Sequence, residues 1–294
     1  MTQIKPLLRE SGKRLFSGLL EQLPLTSRRK LLFLRSHGKL PNLKNPSTFS
    51  EKVTWRLLYD HNPELKWTCD KLLMKDKVRE LDATVTPVDT VWSGTAISQL
   101  SSIALPHRWV LKPNHLSGDV YLGEGTPDLE DVAEKTSHWL HMQDRYQQLG
   151  EWAYQFARPL YLIEPWIGGN SLTEVPKDYK VFVFHGEPKM IQIHSGRGID
   201  HRQYHVSPEW SPLDVKTSIS SEDIPERPVN LDEILRQARS IGGAFDFMRV
   251  DFYSVGDTVY FGETTPYPAG GRRRFHPEEF DRVLGSYWNL DFER

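Results

Sequence analysis

From Asp178 to Phe184 polar and apolar residues alternate, Asp178-Tyr179-Lys180-Val181-Phe182-Val183-Phe184, which is the period of a half-buried strand. A turn at His185-Gly186-Glu187-Pro188 and a return run over Lys189–His194 complete a hairpin. A second hairpin is predicted from Met248–Tyr253 and Val259–Glu263, both rich in β-branched and aromatic residues, with Gly256-Asp257 as its turn. Shorter extended runs cover Val85–Trp92, Arg108–Lys112, Val120–Leu122 and Tyr161–Ile167, the last entering Gly168-Gly169. Helical spacing predicts a helix through Trp55, Leu57, Leu58 and Tyr59, with Ser47, Ser50 and Glu51 as capping choices. Further helices are predicted over Asp70–Glu80 (Leu72, Leu73 and Val78 inward), Ile97–Leu105, Asp128–Gly150 and Leu231–Gly243. Residues 195–230 read as an irregular loop, and long loops in compact domains often carry function.

Composition narrows this picture modestly. At 294 residues, 38% hydrophobic and 26% charged, the chain is of ordinary globular make-up and long enough for one large or two modest domains. A net charge of -2 implies no general polyanion-binding surface, so no nucleic-acid partner is expected. Cys69 is the one cysteine, which excludes an internal disulfide and fits a reducing compartment; a cytoplasmic location is expected. No apolar run is long enough to span a bilayer. Met1–Lys30 is basic and partly amphipathic but interrupted by charge and Pro24, a poor signal peptide. It reads as a basic surface helix, with weak contact to a membrane surface as the alternative.

Charge placement points to chemistry. Each strand of the second hairpin carries one carboxylate, Asp251 and Glu263, and paired strands lie about 4.8 Å apart, so the two converge if the register allows. Such a pair, followed by the Thr265 hydroxyl, suits Mg²⁺, which takes one or two carboxylates and completes its shell with phosphate oxygens and water. The plainer reading is two solvent-facing acids on a half-exposed hairpin. Lys112 ends an apolar strand before Pro113-Asn114-His115-Leu116-Ser117-Gly118, whose small residues allow a turn with N–H groups toward phosphates. It lacks the P-loop and Rossmann glycine spacings, and an ordinary hairpin turn is the alternative. Glu164-Pro165-Trp166-Ile167 offers a purine a backbone carbonyl acceptor and an N–H donor on one edge, with Pro165 confined to accepting.

In order and spacing these segments resemble the ATP-grasp superfamily, and within it the TupA-like branch named for teichuronopeptide biosynthesis. The segments that carry the resemblance are Ser47-Thr48-Phe49-Ser50-Glu51-Lys52, Asp70-Lys71, Val110–Gly118, Glu164–Ile167, Asp178-Tyr179-Lys180, Arg249–Tyr253 and Phe261–Thr265. Together they span the chain from about Pro41 onward. The resemblance implies an α+β ATP-grasp fold: two α+β subdomains with antiparallel sheets sandwich ATP, preceded by a helical N-terminal region. The corresponding division is 1–84, 85–166 (phosphate loop) and 167–294 (metal hairpin).

Residue by residue, the resemblance implies that Lys112 contacts ATP phosphates and that Ser117-Gly118 closes over them. Lys71 lies beside the nucleotide, Glu164, Pro165, Trp166 and Ile167 form the adenine hinge, and Lys180 is the second nucleotide-binding lysine. Asp251, Glu263 and Thr265 hold Mg²⁺, Arg197 steadies the transferring phosphoryl group, and Arg249 is a second catalytic candidate. Two positions depart from the pattern. Thr265 stands where many relatives have asparagine, and Leu116 stands where a glycine is expected, which implies a stiffer loop.

The implied reaction is amide formation from a carboxylate and an amine through an acyl phosphate, with an amino acid and a uronic acid of a surface polysaccharide as substrates. Arg272, Arg273 and Arg274 are candidates to bind an anionic acceptor or a sugar-linked carrier, or else form a solvated charge run. The alternative activity is a Mg²⁺-dependent glycosyltransferase-like enzyme using a nucleotide-sugar, against which stands the missing Asp-x-Asp signature. No His-Glu-x-x-His spacing suggests zinc.

Overall fold

Alternation in one strand organises the larger half of the molecule. In the computed structural model, which describes residues 20, 22–142, 149–217, 219, 221 and 224–290, the run Asp178–Phe184 is β6. It lies inside a six-stranded sheet of order β1-β10-β9-β6-β7-β8. The other members are β1 (Thr86–Pro87), β7 (Glu187–Ser195), β8 (Arg202–Val206), β9 (Phe247–Val255) and β10 (Thr258–Thr265). All of its pairings are antiparallel except β1 with β10. A second sheet of order β2-β5-β3-β4 is built from β2 (Trp92–Gly94), β3 (Arg108–Pro113), β4 (Tyr121–Glu124) and β5 (Tyr161–Pro165). The extended run at 85–92 therefore divides: Thr86–Pro87 joins the large sheet and Trp92 opens the small one.

Because successive side chains alternate, Asp178, Lys180, Phe182 and Phe184 share one face of the large sheet, and Tyr179, Val181 and Val183 share the other. Register places Arg249 opposite Phe182 and Asp251 opposite Lys180, while Gln192 and His194 oppose Lys180 and Asp178. That first face is thus apolar at one end and polar at the other. Helix α2 (Phe49–Tyr59) covers the apolar end: the Phe49 ring lies 5.8 Å from Phe182 and 5.0 Å from Phe247. The opposite face is covered by α5 (Leu231–Gly242), where a Cβ on Gly242 would come 2.4 Å from Val183 Cγ1. The small sheet has its own core, in which Trp109, Leu111, Leu116, Tyr161 and Ile163 pack with Val132 and Trp139.

Several expectations about elements are corrected. Helix α2 is capped by Thr48, whose hydroxyl accepts from Glu51 N–H while the Glu51 carboxylate accepts from Thr48 N–H. Helix α3 (Lys71–Leu81) buries Met74, Lys75 and Val78, and Leu73 faces out. The helix expected over 128–150 is shorter: α4 covers Leu129–Thr136 and a single 3₁₀ turn covers Ser137–His141; residues 143–148 lie outside the described residues. Tyr161 Oη donates to the Thr136 carbonyl and His115 Nε2 meets the Trp139 carbonyl, so two acceptors near that end have partners from the sheet side. Ile97–Ser102 is likewise 3₁₀ rather than a full helix to Leu105. Within 195–230 the chain forms β8, which is paired to β7 from Arg202 to Val206. Helix α1 (Leu25–His37) belongs to the basic N-terminal stretch, of which residues 1–19 and 21 lie outside the described residues. Among the described residues no helix is long and apolar enough to cross a membrane.

Candidate active site

The paired acids depend on one glycine. Along β9–β10, Tyr260 pairs with Tyr253 and Phe261 with Phe252; the register then shifts so that Glu263, not Gly262, lies opposite Asp251. Gly262 is the extra residue of a β-bulge. With an unbroken ladder Glu263 would fall opposite Val250, on the other face. The bulge is tight, since a Cβ on Gly262 would sit 3.1 Å from the Tyr253 ring and 3.2 Å from the Asp251 carbonyl oxygen.

Around this pair the polar half of the sheet is densely charged. Arg249 grips Asp251 with both arms: Nε donates to Oδ1 at 2.7 Å and Nη2 to Oδ2 at 2.7 Å. The same Nη2 reaches Thr265 Oγ1 at 2.8 Å and Glu263 Oε1 at 3.3 Å. Lys180 donates to Asp251 Oδ2 and lies 2.8 Å from Asp178 Oδ2, which also receives Arg197 Nη2 at 2.7 Å. Burial pushes the Asp251 carboxyl up, but Arg249 and Lys180 outweigh it and hold it at about 2. Asp178 is displaced upward by burial and by the neighbouring Asp251, against the pull of Lys180 and Arg197. Asp251 is closed off, whereas the Glu263 side chain is 32% exposed and its second oxygen has no partner among the described residues. Two opposed carboxylates, one open to the cleft, beside the Thr265 hydroxyl form a donor set that fits a hard divalent cation sharing phosphate oxygens.

The small sheet supplies the facing wall. Val110, Val120 and Leu122 with Pro165, Trp166 and Ile167 line a cavity of about 280 Å³, closed on the other side by Asp178, Arg197, Gly198 and Tyr253. Lys112 and Glu164 also line it. Glu164 is buried between two lysines, Lys112 on Oε2 and Lys75 at 2.6 Å on Oε1. Burial raises the Glu164 carboxyl, and the two ammonium groups bring it below its ordinary value. Lys75 also donates to Thr90 Oγ1 at 2.7 Å.

Lys71 points at the loop that follows β3, donating to the carbonyls of Pro113, at 3.2 Å, and Leu116. Leu116 is 1% exposed in the small core, so this position anchors the base of the loop. Gly118 takes a left-handed φ of 89° at the loop tip.

A second cavity of about 230 Å³ opens beyond the acids, lined by Ser117, Glu151, Tyr154, Arg249, Glu263, Thr265 and Arg272 among others. The three consecutive arginines separate. Arg272 lines this cavity, Arg273 donates to Gln203 Oε1 at 3.1 Å, and Arg274 pairs with Glu278 at 3.1 Å. Arg29 of α1 is 1% exposed and braces two walls of the second cavity, donating to the Leu149 carbonyl at 3.3 Å and to the Gly270 carbonyl.

The structure therefore gathers Lys112, Glu164, Pro165, Trp166, Ile167 and Arg197 at one cavity, Ser117 and Arg272 at the other, and Lys180, Arg249, Asp251, Glu263 and Thr265 between and around them. Arg273 and Arg274 are directed elsewhere. Sequence reasoning passed over Lys75, Asp178, Glu151 and Arg29. Asp178 carried a usable signal, since it stands two positions before Lys180 on the same strand face; Lys75 stands one helical turn after Lys71. Arg29 carried none, because its partners are carbonyls far along the chain. Cys69 is buried and its thiol is displaced strongly upward by burial, which removes it as a nucleophile.

Two largely antiparallel sheets facing a charged cleft, with an apolar cavity wall on one and opposed acids on the other, define a nucleotide-binding enzyme architecture. The family model for TupA-like ATP-grasp matches residues 51–289, and the chain belongs to that family and with it to the ATP-grasp enzymes. Among curated proteins none is similar in sequence to this chain. Among solved structures, the chain is similar to D-alanine–D-alanine ligase from Bacillus anthracis complexed with ATP, at 15% identity over 68% of this chain and 54% of that one, with a TM-score of 0.37. It is similar to D-alanine–D-alanine ligase from Helicobacter pylori at 17% identity over 76% and 61%, with a TM-score of 0.42. For N5-carboxyaminoimidazole ribonucleotide synthetase from Thermus thermophilus the values are 14%, 71% and 48%, and 0.41. The chain thus spans roughly half to three fifths of the length of these structures.

Proposed function

We propose that the protein is an ATP-dependent carboxylate–amine ligase that forms an amide through an acyl phosphate. The observation that carries this reading is the registered pair Asp251 and Glu263, bound by Arg249 and flanked by Lys180, between a hinge-lined cavity and a second, polar cavity. Adenine lies against Pro165, Trp166 and Ile167 in the first cavity, with the Pro165 carbonyl and the Ile167 N–H as its polar contacts. The phosphates run toward Lys112, Lys180 and Arg197, and Ser117-Gly118 closes over them. Asp251, Glu263 and Thr265 would hold Mg²⁺, which supplies charge neutralisation at the phosphate oxygens.

The carboxylate and the amine meet in the second cavity. The carboxylate oxygen attacks the γ-phosphorus and ADP leaves; the amine then attacks the acyl carbon and phosphate leaves, the amine proton passing to solvent or to phosphate. No protein nucleophile takes part. Arg249 faces the charge that develops, already aligned by four hydrogen bonds to Asp251, Glu263 and Thr265. The finer substrate reading is an amino acid coupled to a uronic acid of a surface polysaccharide, with Arg272 at the mouth of the cavity to receive an anion.

ADP release with ATP-Mg²⁺, measured across uronic acids and amino acids for wild type, Glu263→Ala and Lys112→Ala, tests the proposal. Release that requires both a carboxylate and an amine, and disappears in both variants, is expected. No binding or turnover of ATP in any combination would overturn it and bring the nucleotide-sugar reading forward.

A further inference from the structure

Helix α1 turns its two sides to different surroundings. Its inner side braces the wall of the second cavity: buried Arg29 donates to the Gly270 carbonyl, and His37 Nε2 donates to the Gly271 carbonyl at 3.0 Å. Gly270 itself lines that cavity, and Leu32 and Phe33 are buried on the same side of the helix as Arg29. At about 100° per residue, the opposite side is centred on Leu31 and Leu34, with Lys30 on one flank and Arg35 on the other. Both leucines are 38% exposed. Leu40, just past the Gly38 that ends the helix, is 60% exposed.

Single exposed leucines are ordinary, but the charge around these is not. From Gln22 to Ser50 the chain has no Asp or Glu and carries Arg28, Arg29, Lys30, Arg35, Lys39 and Lys44, a charge of +6 with histidine neutral. The basic surface continues toward the cavity. Lys39 Nζ lies 3.5 Å from Glu278, which also receives Arg274 at 3.1 Å, and Arg272, two residues before Arg274, lines the second cavity.

Leucines at the middle of an exposed helical side, with cations on both edges, are the pattern of a helix that lies in a membrane interface. The apolar side chains enter the boundary between headgroups and acyl chains, and the long cationic side chains reach lipid phosphates. Three part-exposed leucines fall far short of the roughly 800 Å² that a stable protein partner covers. An anionic lipid surface uses both features, since each nearby Lys or Arg adds to the attraction.

We propose that the outward side of α1, with Lys39 and Leu40 beyond it, docks on the surface of an anionic lipid bilayer. The helix lies along the surface. Because Arg29 and His37 tie its inner side to Gly270 and Gly271, docking brings the mouth of the second cavity, with Arg272, close to the headgroups.

The test is sedimentation of the full chain with vesicles of phosphatidylcholine alone, or of equal parts phosphatidylcholine and phosphatidylglycerol. Wild type, Lys30→Gln/Lys39→Gln and Leu31→Ser/Leu34→Ser are compared. Wild type is expected to bind the anionic vesicles, more weakly as salt is added, and to leave the neutral ones unbound. The lysine pair is expected to bind about 25-fold more weakly, about fivefold for each cation near the surface. The leucine pair is expected to lose about tenfold, the scale of the exposed apolar area removed. Since these side chains face solvent, both variants are expected to keep the wild-type denaturation midpoint, which separates lost docking from lost folding. No sedimentation of wild type with anionic vesicles overturns the proposal. Binding that neither variant weakens also overturns it, since the contact then lies outside this helix. Binding that falls with the lysines but not with the leucines is adsorption by charge alone and overturns the interfacial seat. Self-association that disappears in the leucine variant, without vesicle binding, assigns the surface to a second copy instead.

Discussion

The two sheets that face the cleft hold charge differently. On the four-stranded sheet the wall is mainly apolar, Val110, Val120, Leu122, Pro165, Trp166 and Ile167, with a single buried carboxylate, Glu164, shared by Lys75 and Lys112. On the six-stranded sheet Asp178, Lys180, Arg249, Asp251 and Glu263 form one continuous network in which Asp178 Oδ2 and Asp251 Oδ2 each meet two cations. The first arrangement suits shape recognition of a flat base. The second is preorganised electrostatics, in which dipoles and charges are aligned before the reaction and need no rearrangement during it. The difference also predicts where stability is at stake. Removing Lys112 leaves Glu164 still paired with Lys75, whereas removing Lys180 strips a cation from two buried acids at once.

The largest expected effect falls on the large sheet. Arg249→Met should lower kcat by about a thousandfold, the scale seen when a preorganised donor to developing charge is removed. ATP binding should change far less, because on the proposed reading Arg249 acts on the transferring group while the base rests on the other sheet and Lys112, Lys180 and Arg197 keep the phosphates. Steady-state ADP release beside nucleotide titrations separates the two, and equal losses in both would erase the division of labour.

Next is a stability contrast. Lys180→Met should cost about 3–5 kcal/mol, since breaking a buried ion pair leaves uncompensated charge, while Lys112→Met should change folding stability by less than about 1 kcal/mol, the scale of an incompletely buried pair whose partner keeps a second cation. Denaturant unfolding of the two variants side by side measures this; equal losses would mean that Lys75 does not compensate.

The smallest effect is on pH. His194 is displaced down to about 2 by burial and by Lys180 and Arg197, and His205 to about 4 by burial and Arg273. Both lie on the polar side of the large sheet, in a network with Gln192 and Gln203. A histidine whose folded value lies below its unfolded value of about 6.5 binds fewer protons when folded, so its contribution to stability is present above 6.5 and lost as pH falls. At pH 5.5 each should cost about 1.4 kcal/mol relative to neutral pH. Asp281, raised to about 6 by burial, titrates in the opposite sense between about 4 and 6 and offsets less than one of the two. Denaturant melts at pH 7.5 and 5.5 should show the net loss, and His205→Gln should shrink it; unchanged stability at pH 5.5 would mean that these imidazoles are hydrated in solution.

Local pattern determined a good deal by itself. Period-two alternation marked β6 and its return strand, β-branched runs marked β9 and β10, and the order of lysines, hinge and acids was enough to reveal the family. Those signals are local: they depend on which side chains share a face or a short stretch of backbone. Tertiary structure alone decided the rest. It set the Gly262 bulge that turns Glu263 onto the face of Asp251, because register is a property of two strands together. Helix α4 stops at Thr136, near carbonyls that take partners from Tyr161 and His115. Lys75, one of several cations along its helix, was drawn inward by a carboxylate on a distant strand. Arg29 came to brace the second cavity through carbonyls 120 and 241 residues away. In each case the deciding partner is a backbone or side-chain group brought close only by folding, and no periodicity in the chain records it.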